Sequence, residues 1–286
     1  MDCKRKLSQI KEYHGETVVY AERLCYSLEK NERIIAMNKE VETVRQAKES
    51  FNHILGHQKY VGIIKDDNHL ALLLELLYAG DYKKILDIGT GTGYLAFPLA
   101  EQFPTASVCG IDVAEIIVEK NNAAVKEKNI ANLSFQVFDG LKYPFSDECF
   151  DLLTTRYAFH HFPNVINAIK QMYAILEKGG KVLISDPMRN EKDEDGIIDR
   201  FMQVKKDGHI QFYSSNELDA LFEGQGFIKE KQVITEMKFP FVRQDDYISL
   251  YDKMTDSEKA LYDITNDKGV IWVRHIDVGN TIFVKQ

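Results

Sequence analysis

Five short apolar runs recur between residues 84 and 186, each closed by a polar or glycine-bearing turn. Lys84 to Asp87, Ser107 to Val113, Leu133 to Phe138, Phe150 to Tyr157 and Gly180 to Asp186 have the length and the branched and aromatic content of strands. The segments between them, beginning with Leu95 to Phe103, read as helices. Strands alternating with helices predict a parallel sheet covered on both faces and joined by right-handed crossovers. Upstream the spacing changes: Val18, Ala21, Leu24, Cys25 and Leu28 fall at helical intervals, as do Val41, Val44, Ala47, Phe51 and Leu55. Charged residues fill the gaps, so residues 1–80 read as an N-terminal extension of amphipathic helices. The last of these, Asn68 to Tyr78, leads into the first strand.

Downstream, Met188 to Gly196 is a charge run that reads as a solvated loop. Ser214 or Ser215 ahead of Glu217 predicts a helix cap, and Gly224-Gln225-Gly226 predicts the stop of that helix. Phe227 to Met237 and Thr281 to Lys285 predict a terminal antiparallel strand pair. Between them lies an insertion at about residues 238–278, with helix starts at Asp245-Asp246 and Thr255-Asp256-Ser257-Glu258. The expected division is therefore 1–80 and 81–286, with no internal repeat.

The densest chemistry lies just after the first strand. Asp87-Ile88-Gly89-Thr90-Gly91-Thr92-Gly93 ends a strand in an acid and turns through three glycines into a helix. Such a turn lets backbone amides approach a ligand closely. The spacing is G-x-G-x-G, and Tyr94 stands where a dinucleotide fingerprint requires its third glycine. Asp112 ends the second strand, where a carboxylate can accept from both ribose hydroxyls. Asp139-Gly140 closes the third. Each acid alone could be an ordinary turn residue, but the ordered series after a glycine turn points to a nucleoside ligand. Ligands of such sheets sit outside the carboxyl ends of the strands, so Asp87, Asp112, Asp139 and Tyr157 are expected on one rim.

The glycine turn and the acids that follow resemble the motifs of class I S-adenosylmethionine-dependent methyltransferases. Arg156-Tyr157-Ala158-Phe159-His160-His161-Phe162, then a helix, then Leu176 to Asp186 (LEKGGKVLISD) is similar to the ubiquinone/menaquinone-biosynthesis-type branch of small-molecule methyltransferases. The resemblance spans about residues 82–230. It implies a Rossmann-like α/β fold, a mostly parallel seven-stranded sheet with a terminal antiparallel strand, plus the N-terminal helical extension. It implies S-adenosylmethionine as cofactor, held by Asp87, Gly89, Thr90, Gly91, Gly93, Asp112, Val113, Asp139, Gly140, Arg156 and Tyr157. In the family the position of Asp139 bonds the adenine amine, and N-terminal helices often cover the cofactor or acceptor pocket. The implied activity is methyl transfer to a small organic acceptor at O, C or N. His160 and His161 are the candidate general bases, since imidazole suits proton removal near neutral pH; the other reading is that they cap or support the turn.

Composition trims the alternatives. A net charge of -8 lacks the basic face that nonspecific nucleic-acid binding needs, and Thr155 to Ala158 lacks the Pro-Pro-aromatic run of nucleobase amine methylases. No run reaches the length of a membrane span, and the first residues have no apolar leader. Cys3, Cys25, Cys109 and Cys149 show no C-x-x-C spacing, which suits a reduced, cytoplasmic protein. His53 and His57 are four apart but lack the glutamate of a zinc-binding helix, so no metal is expected. Phe239, Phe241, Tyr247 and Tyr251 read as core or as an acceptor wall. A homodimer through the N-terminal helices, a cofactor-binding protein without turnover, and a protein or nucleic-acid methylase complete the readings.

Overall fold

The computed structural model describes residues 15–54, 66–240 and 245–286, with side chains at 34–53, 66–237 and 246–286. Helix α1 (Gly15–Ile54) is one continuous helix. Leu55 and the side chains of Val18 to Leu28 lie outside the described residues. The chain divides into two compact units, residues 1–42 and 43–286. Helix α2 (Asp67–Leu77) belongs to the larger unit because Leu73 and Leu77 are fully buried against Tyr82, Ile85 and Leu99. Asp66 caps it, its Oδ1 accepting from the Asn68 and His69 amides at 3.0 Å each.

The central elements follow in the expected alternation: β1 (Lys84–Ile88), α3 (Ala96–Gln102), β2 (Ser107–Asp112), α4 (Glu115–Glu127), β3 (Leu133–Val137), β4 (Phe150–Arg156), α5 (Val165–Ile175) and β5 (Leu176–Pro187). After them come α6 (Ile197–Gln203), α7 (Ser215–Glu223), β6 (Phe227–Pro240), α8 (Asp245–Lys253), α9 (Asp256–Ala260), β7 (Ile264–Asp267) and β8 (Val270–Lys285). The sheet order is β3-β2-β1-β4-β5-β8-β6. The first five strands are parallel, and β8 runs antiparallel between β5 and β6. Ile85 and Leu86 of β1 and Leu152 and Leu153 of β4 are fully buried, as continuous apolar strands in a two-sided sheet must be. One face packs on Ile169 and Met172 of α5 and Phe222 of α7; the other packs on Leu73, Leu99 and Val118. Cys109 is buried within β2, and Cys149 lies half-buried at the start of β4. The predicted caps are present: Ser214 with Glu217, and Thr255 with Glu258, each form a capping box.

Two expectations are corrected. The insertion is only partly helical, because α8 and α9 give way to β7 and to the first half of β8. The expected seven-strand path of the sheet stands, and β7 adds a short eighth strand off that path by pairing on β8. Ile271 and Val273 are buried at every second position, between half-exposed neighbours, which is a strand pattern that the charges at Arg274 and Asp277 obscure in sequence. This ledge carries a third core of Ile198, Phe201 and Met202 from α6 with Tyr247, Tyr262 and Ile276. Tyr247 stacks on Phe201 at 6.2 Å, and Tyr251 packs on the same core; neither lines the cavity described below. The side chains of Phe239 and Phe241 are outside the described residues.

The charge run 188–196 is not uniformly solvated. Asp193 is 1% exposed. Its carboxylate accepts from the first amides of α6, Ile197 at 2.8 Å and Ile198 at 3.1 Å, and from the Tyr262 hydroxyl at 2.7 Å. It thus caps α6 and bolts it to the ledge. Asp193→Ala strands two helix amides and a buried phenol, and is expected to cost about 2 kcal/mol. Urea denaturation reads this as a lower midpoint with an unchanged m-value; a midpoint equal to wild type would show that the cap is not used.

Candidate active site

Backbone constraints build one side of the site. Gly89 and Gly91 sit at φ +68° and +50°, in the left-handed region. A Cβ built on Gly91 would meet nothing within 4 Å, so this part of the turn faces open space. Its amide donates to Asp112 Oδ2 at 2.8 Å, while Asn121 Nδ2 donates to its carbonyl at 2.8 Å. Asp112 Oδ1 accepts from the Ala114 amide at 2.9 Å. Burial pushes the Asp112 carboxyl above the usual range despite these amides. Asp87, 2% exposed, accepts from Thr154 Oγ1 at 2.7 Å, and burial pushes its pKa up to about 6.

The adjoining wall comes from β4. Tyr157 has φ 55°, a strained setting for a tyrosine that accompanies functional sites. The Arg156 guanidinium lies 4.1 Å from the Tyr94 ring centroid and 4.0 Å from that of Tyr157. Tyr94 in turn donates its hydroxyl to the Asp66 carbonyl. Below them, His69 Nε2 meets Asn280 Oδ1 at 2.8 Å, which ties α2 to β8 beneath the turn.

These residues line an open cavity. It brings together Asp87, Gly89, Thr90 and Gly91 of the β1 turn, Asp112 and Val113 at the end of β2, and Arg156, Tyr157, His160 and His161. It does not bring in Gly93, Asp139 or Gly140. Gly93 faces the rings of Phe97 and Phe135. Asp139 is exposed, and its Oδ1 accepts from the Leu141 and Lys142 amides at 2.8 and 2.7 Å. Val44 of α1 packs over Gly140. One oxygen of Asp139 is thus held by the amides of its own turn, outside the residues that line the cavity.

The histidines sit in a 3-10 turn, Phe159–His161. His160 Nδ1 is 2.9 Å from Asp186 Oδ2, which also accepts from the His160 amide at 3.1 Å. Burial opposes charge on both: it holds the imidazole well below the ordinary histidine range and pushes the carboxyl well above its own. Burial and then the neighbouring His160 hold His161 low as well. His161 Nδ1 is buried without a hydrogen-bond partner among the described residues, and Phe51 of α1 meets its ring edge-on at 5.1 Å.

Sequence reasoning missed the opposite contribution to the cavity, made by Met202, Lys205, Asp207, His209 and Phe212. This segment is tied to the 3-10 turn by the Ile210 amide, which donates to the His160 carbonyl at 3.0 Å. Its approach depends on the third core holding α6 in place, and no motif announces it. Among the described residues no group of three or more His, Cys, Asp and Glu side chains is arranged to hold a metal ion. His53 lies on α1, and His57 is outside the described residues. No helix among the described residues is long and apolar enough to cross a membrane.

The family model described as a methyltransferase domain matches residues 63–232, more than half of the chain. The chain belongs to the methyltransferase-domain family. The "uncharacterized methyltransferase YcgJ" of Bacillus subtilis is 27% identical over 204 residues, covering 70% of this methyltransferase and 77% of its relative. A demethylmenaquinone methyltransferase of Porphyromonas gingivalis is 26% identical over 170 residues, covering 55% and 67%. The crystal structure of YcgJ aligns with a TM-score of 0.66 at 22% identity, covering 77% of this chain and 99% of that one. A Haemonchus contortus phosphoethanolamine N-methyltransferase 2, solved with S-adenosylhomocysteine, aligns with a TM-score of 0.55 at 18% identity, covering 76% and 52%. At these identities the structural likenesses speak to the fold, which is that of class I methyltransferases. The methyltransferase is an enzyme, and its cofactor is S-adenosylmethionine.

Proposed function

We propose that this enzyme methylates a small organic acceptor at O, C or N, bound in the same cavity as the cofactor. The observation that carries this reading is Gly91: its missing side chain faces open cavity while its amide is held by Asp112. A ligand can therefore lie against bare backbone beside a buried carboxylate, which suits a nucleoside. Asp112 retains lone pairs beyond its two amide contacts, enough to accept from a ribose diol. Asp87 offers a carboxylate to the ammonium of the methionine part, and Arg156 offers a guanidinium to its carboxylate. Thr90, Gly89 and Val113 flank these contacts. When bound, the cofactor supplies a methyl group on a sulfonium, which an acceptor's electron pair displaces in line. The protein's share is alignment and exclusion of water, worth on the order of 7–11 kcal/mol in favourable cases. Phe162, Met202 and Phe212 give the cavity apolar wall for an organic acceptor. His160, tied to Asp186, and His161 support the 3-10 turn beside it.

Parallel calorimetric titrations with S-adenosylmethionine, S-adenosylhomocysteine and NAD test the reading. Micromolar binding of the first two and none of NAD is expected; binding of NAD alone would overturn it.

A pH dependence follows from Asp87. Its pKa is pushed up to about 6, so below that pH the carboxyl carries a proton that an incoming ammonium must displace. Affinity for S-adenosylmethionine is expected to weaken about tenfold per pH unit below 6 and to level off near pH 7. Asp87→Asn should bind more weakly at pH 7 and lose this slope. Titrations between pH 5 and 7.5 measure it, and a flat wild-type profile would remove Asp87 from the ammonium site.

A further inference from the structure

The cavity holds a third histidine whose surroundings orient it for proton transfer. His209 Nε2 lies 2.8 Å from Asp199 Oδ1, and the same oxygen accepts from the Phe212 amide at 2.7 Å. Asp199 is 8% exposed, so the carboxylate is fixed by backbone within the protein. A carboxylate accepting at Nε2 places the hydrogen there and leaves Nδ1 with a lone pair. Among the described residues the ring makes no other hydrogen bond. Phe212 meets one side of it edge-on at 4.7 Å, and the His160 ring lies at 5.2 Å. Its other charged or titratable neighbours are Lys205 and Asp207 on its own segment, with Asp207 Oδ1 accepting from the His209 amide at 3.2 Å, His161 at 6.1 Å, and the Asp186 carboxyl behind His160.

The other two histidines are built differently. His160 is backed by Asp186, a carboxyl that burial favours in its neutral form and that therefore does little to stabilise an imidazolium. His161 has no partner on Nδ1 among the described residues, and the Gly208 backbone rather than a carboxylate holds its ring. Ring centroids 4.1 to 6.1 Å apart gather the three into one cluster.

We propose that His209, oriented by Asp199, is the general base that takes the acceptor's proton at Nδ1, and that the acceptor is accordingly a hydroxyl or a carbon acid. This rests on the methyl-transfer reading above. The acceptor's X–H bond breaks toward Nδ1, its electron pair forms the new X–CH3 bond, and the pair of the old carbon–sulfur bond remains on sulfur. The charge of the sulfonium is thereby lost, and an imidazolium held by Asp199 takes its place until the proton escapes to solvent.

A base that reaches the acceptor must also lie near the sulfonium, so its titration must feel that charge. Histidine-labelled full-length protein, followed by 13C and 15N NMR with S-adenosylmethionine or S-adenosylhomocysteine bound, tests this without an acceptor. The His209 signals are those lost in His209→Gln and displaced in Asp199→Asn, so the assignment survives poor folding of either variant. In the wild type the neutral ring is expected as the Nε2–H tautomer, and its titration midpoint about half a pH unit or more lower in the S-adenosylmethionine complex than in the S-adenosylhomocysteine complex. In Asp199→Asn the amide oxygen can take the place of Oδ1, which serves both Nε2 and the Phe212 amide, so the Nε2–H tautomer is expected to persist there. Equal midpoints in the two complexes, or Nδ1–H in the wild type, would overturn the proposal while leaving the enzyme's cofactor site intact. Calorimetry on the same sample separates the two levels: if neither cofactor form binds, the methyl-transfer reading fails and the assignment of His209 falls with it.

Discussion

Asp112→Ala is expected to weaken binding of both S-adenosylmethionine and S-adenosylhomocysteine at least a hundredfold, a loss of about 2.7 kcal/mol or more. One oxygen of Asp112 holds the Gly91 amide and the other holds the Ala114 amide. Alanine leaves both donors without that acceptor, at about 1–3 kcal/mol for each that stays dry. The glycine turn then loses the contact that sets its shape, and the ribose loses its acceptor as well. Asp112→Asn separates these effects, since an amide oxygen can keep one backbone contact; its loss of affinity should be smaller, nearer tenfold. Calorimetry with the two ligands, and thermal melts of the ligand-free variants, give the two readouts. If Asp112→Ala binds and melts like the wild type, the carboxylate neither shapes the turn nor holds the ligand.

Gly89→Ala is expected to destabilise the fold by about 3 kcal/mol, for two separable reasons. At φ +68° a side chain costs about 1–2 kcal/mol. The added Cβ would also stand 2.5 Å from the Ala158 Cβ, inside any real contact distance, and overpacking of this kind costs about 1–3 kcal/mol. The turn has little room to retreat, because the Gly89 and Thr90 amides both donate to the Ile111 carbonyl, at 2.9 and 3.0 Å. Combining Gly89→Ala with Ala158→Gly should restore the steric share but not the dihedral share. Urea denaturation of wild type, both single variants and the double variant closes the cycle. A double variant no more stable than Gly89→Ala would place the whole cost in the dihedral angle; a single variant as stable as wild type would contradict the turn geometry itself.

The legible parts of this protein were those where local sequence meets a local constraint. The alternating strands and helices were readable because a strand buried on both faces must be a continuous apolar run, as Leu86 and Leu153 show. The turn at Gly89 was readable because its positive φ excludes most side chains. The caps at Ser214 and Thr255 were readable because the box needs only residues three apart. Asp139 marks the limit of that logic. Its position after β3 was legible, but the turn in which the Leu141 and Lys142 amides hold one of its oxygens was not. The first half of β8 was hidden for a related reason: charged residues interrupt its alternation, and a long partner strand, β6, makes the ladder that holds it.

By itself, then, the sequence determined the doubly covered parallel sheet, the glycine turn, and the acids Asp87 and Asp112 beside it, since each follows from period, dihedral angle or strand end. Tertiary structure alone decided the far side of the cavity. Asp199 and His209 are ten residues apart across a turn, and no periodicity fixes the distance between side chains so connected. That distance is set by Ile198, Phe201 and Met202 packing on the β7–β8 ledge, by Asp193 bolting α6 to Tyr262, and by the Ile210 amide on the His160 carbonyl. Those contacts join segments far apart in the chain, and they exist only once the hydrophobic ledge has formed.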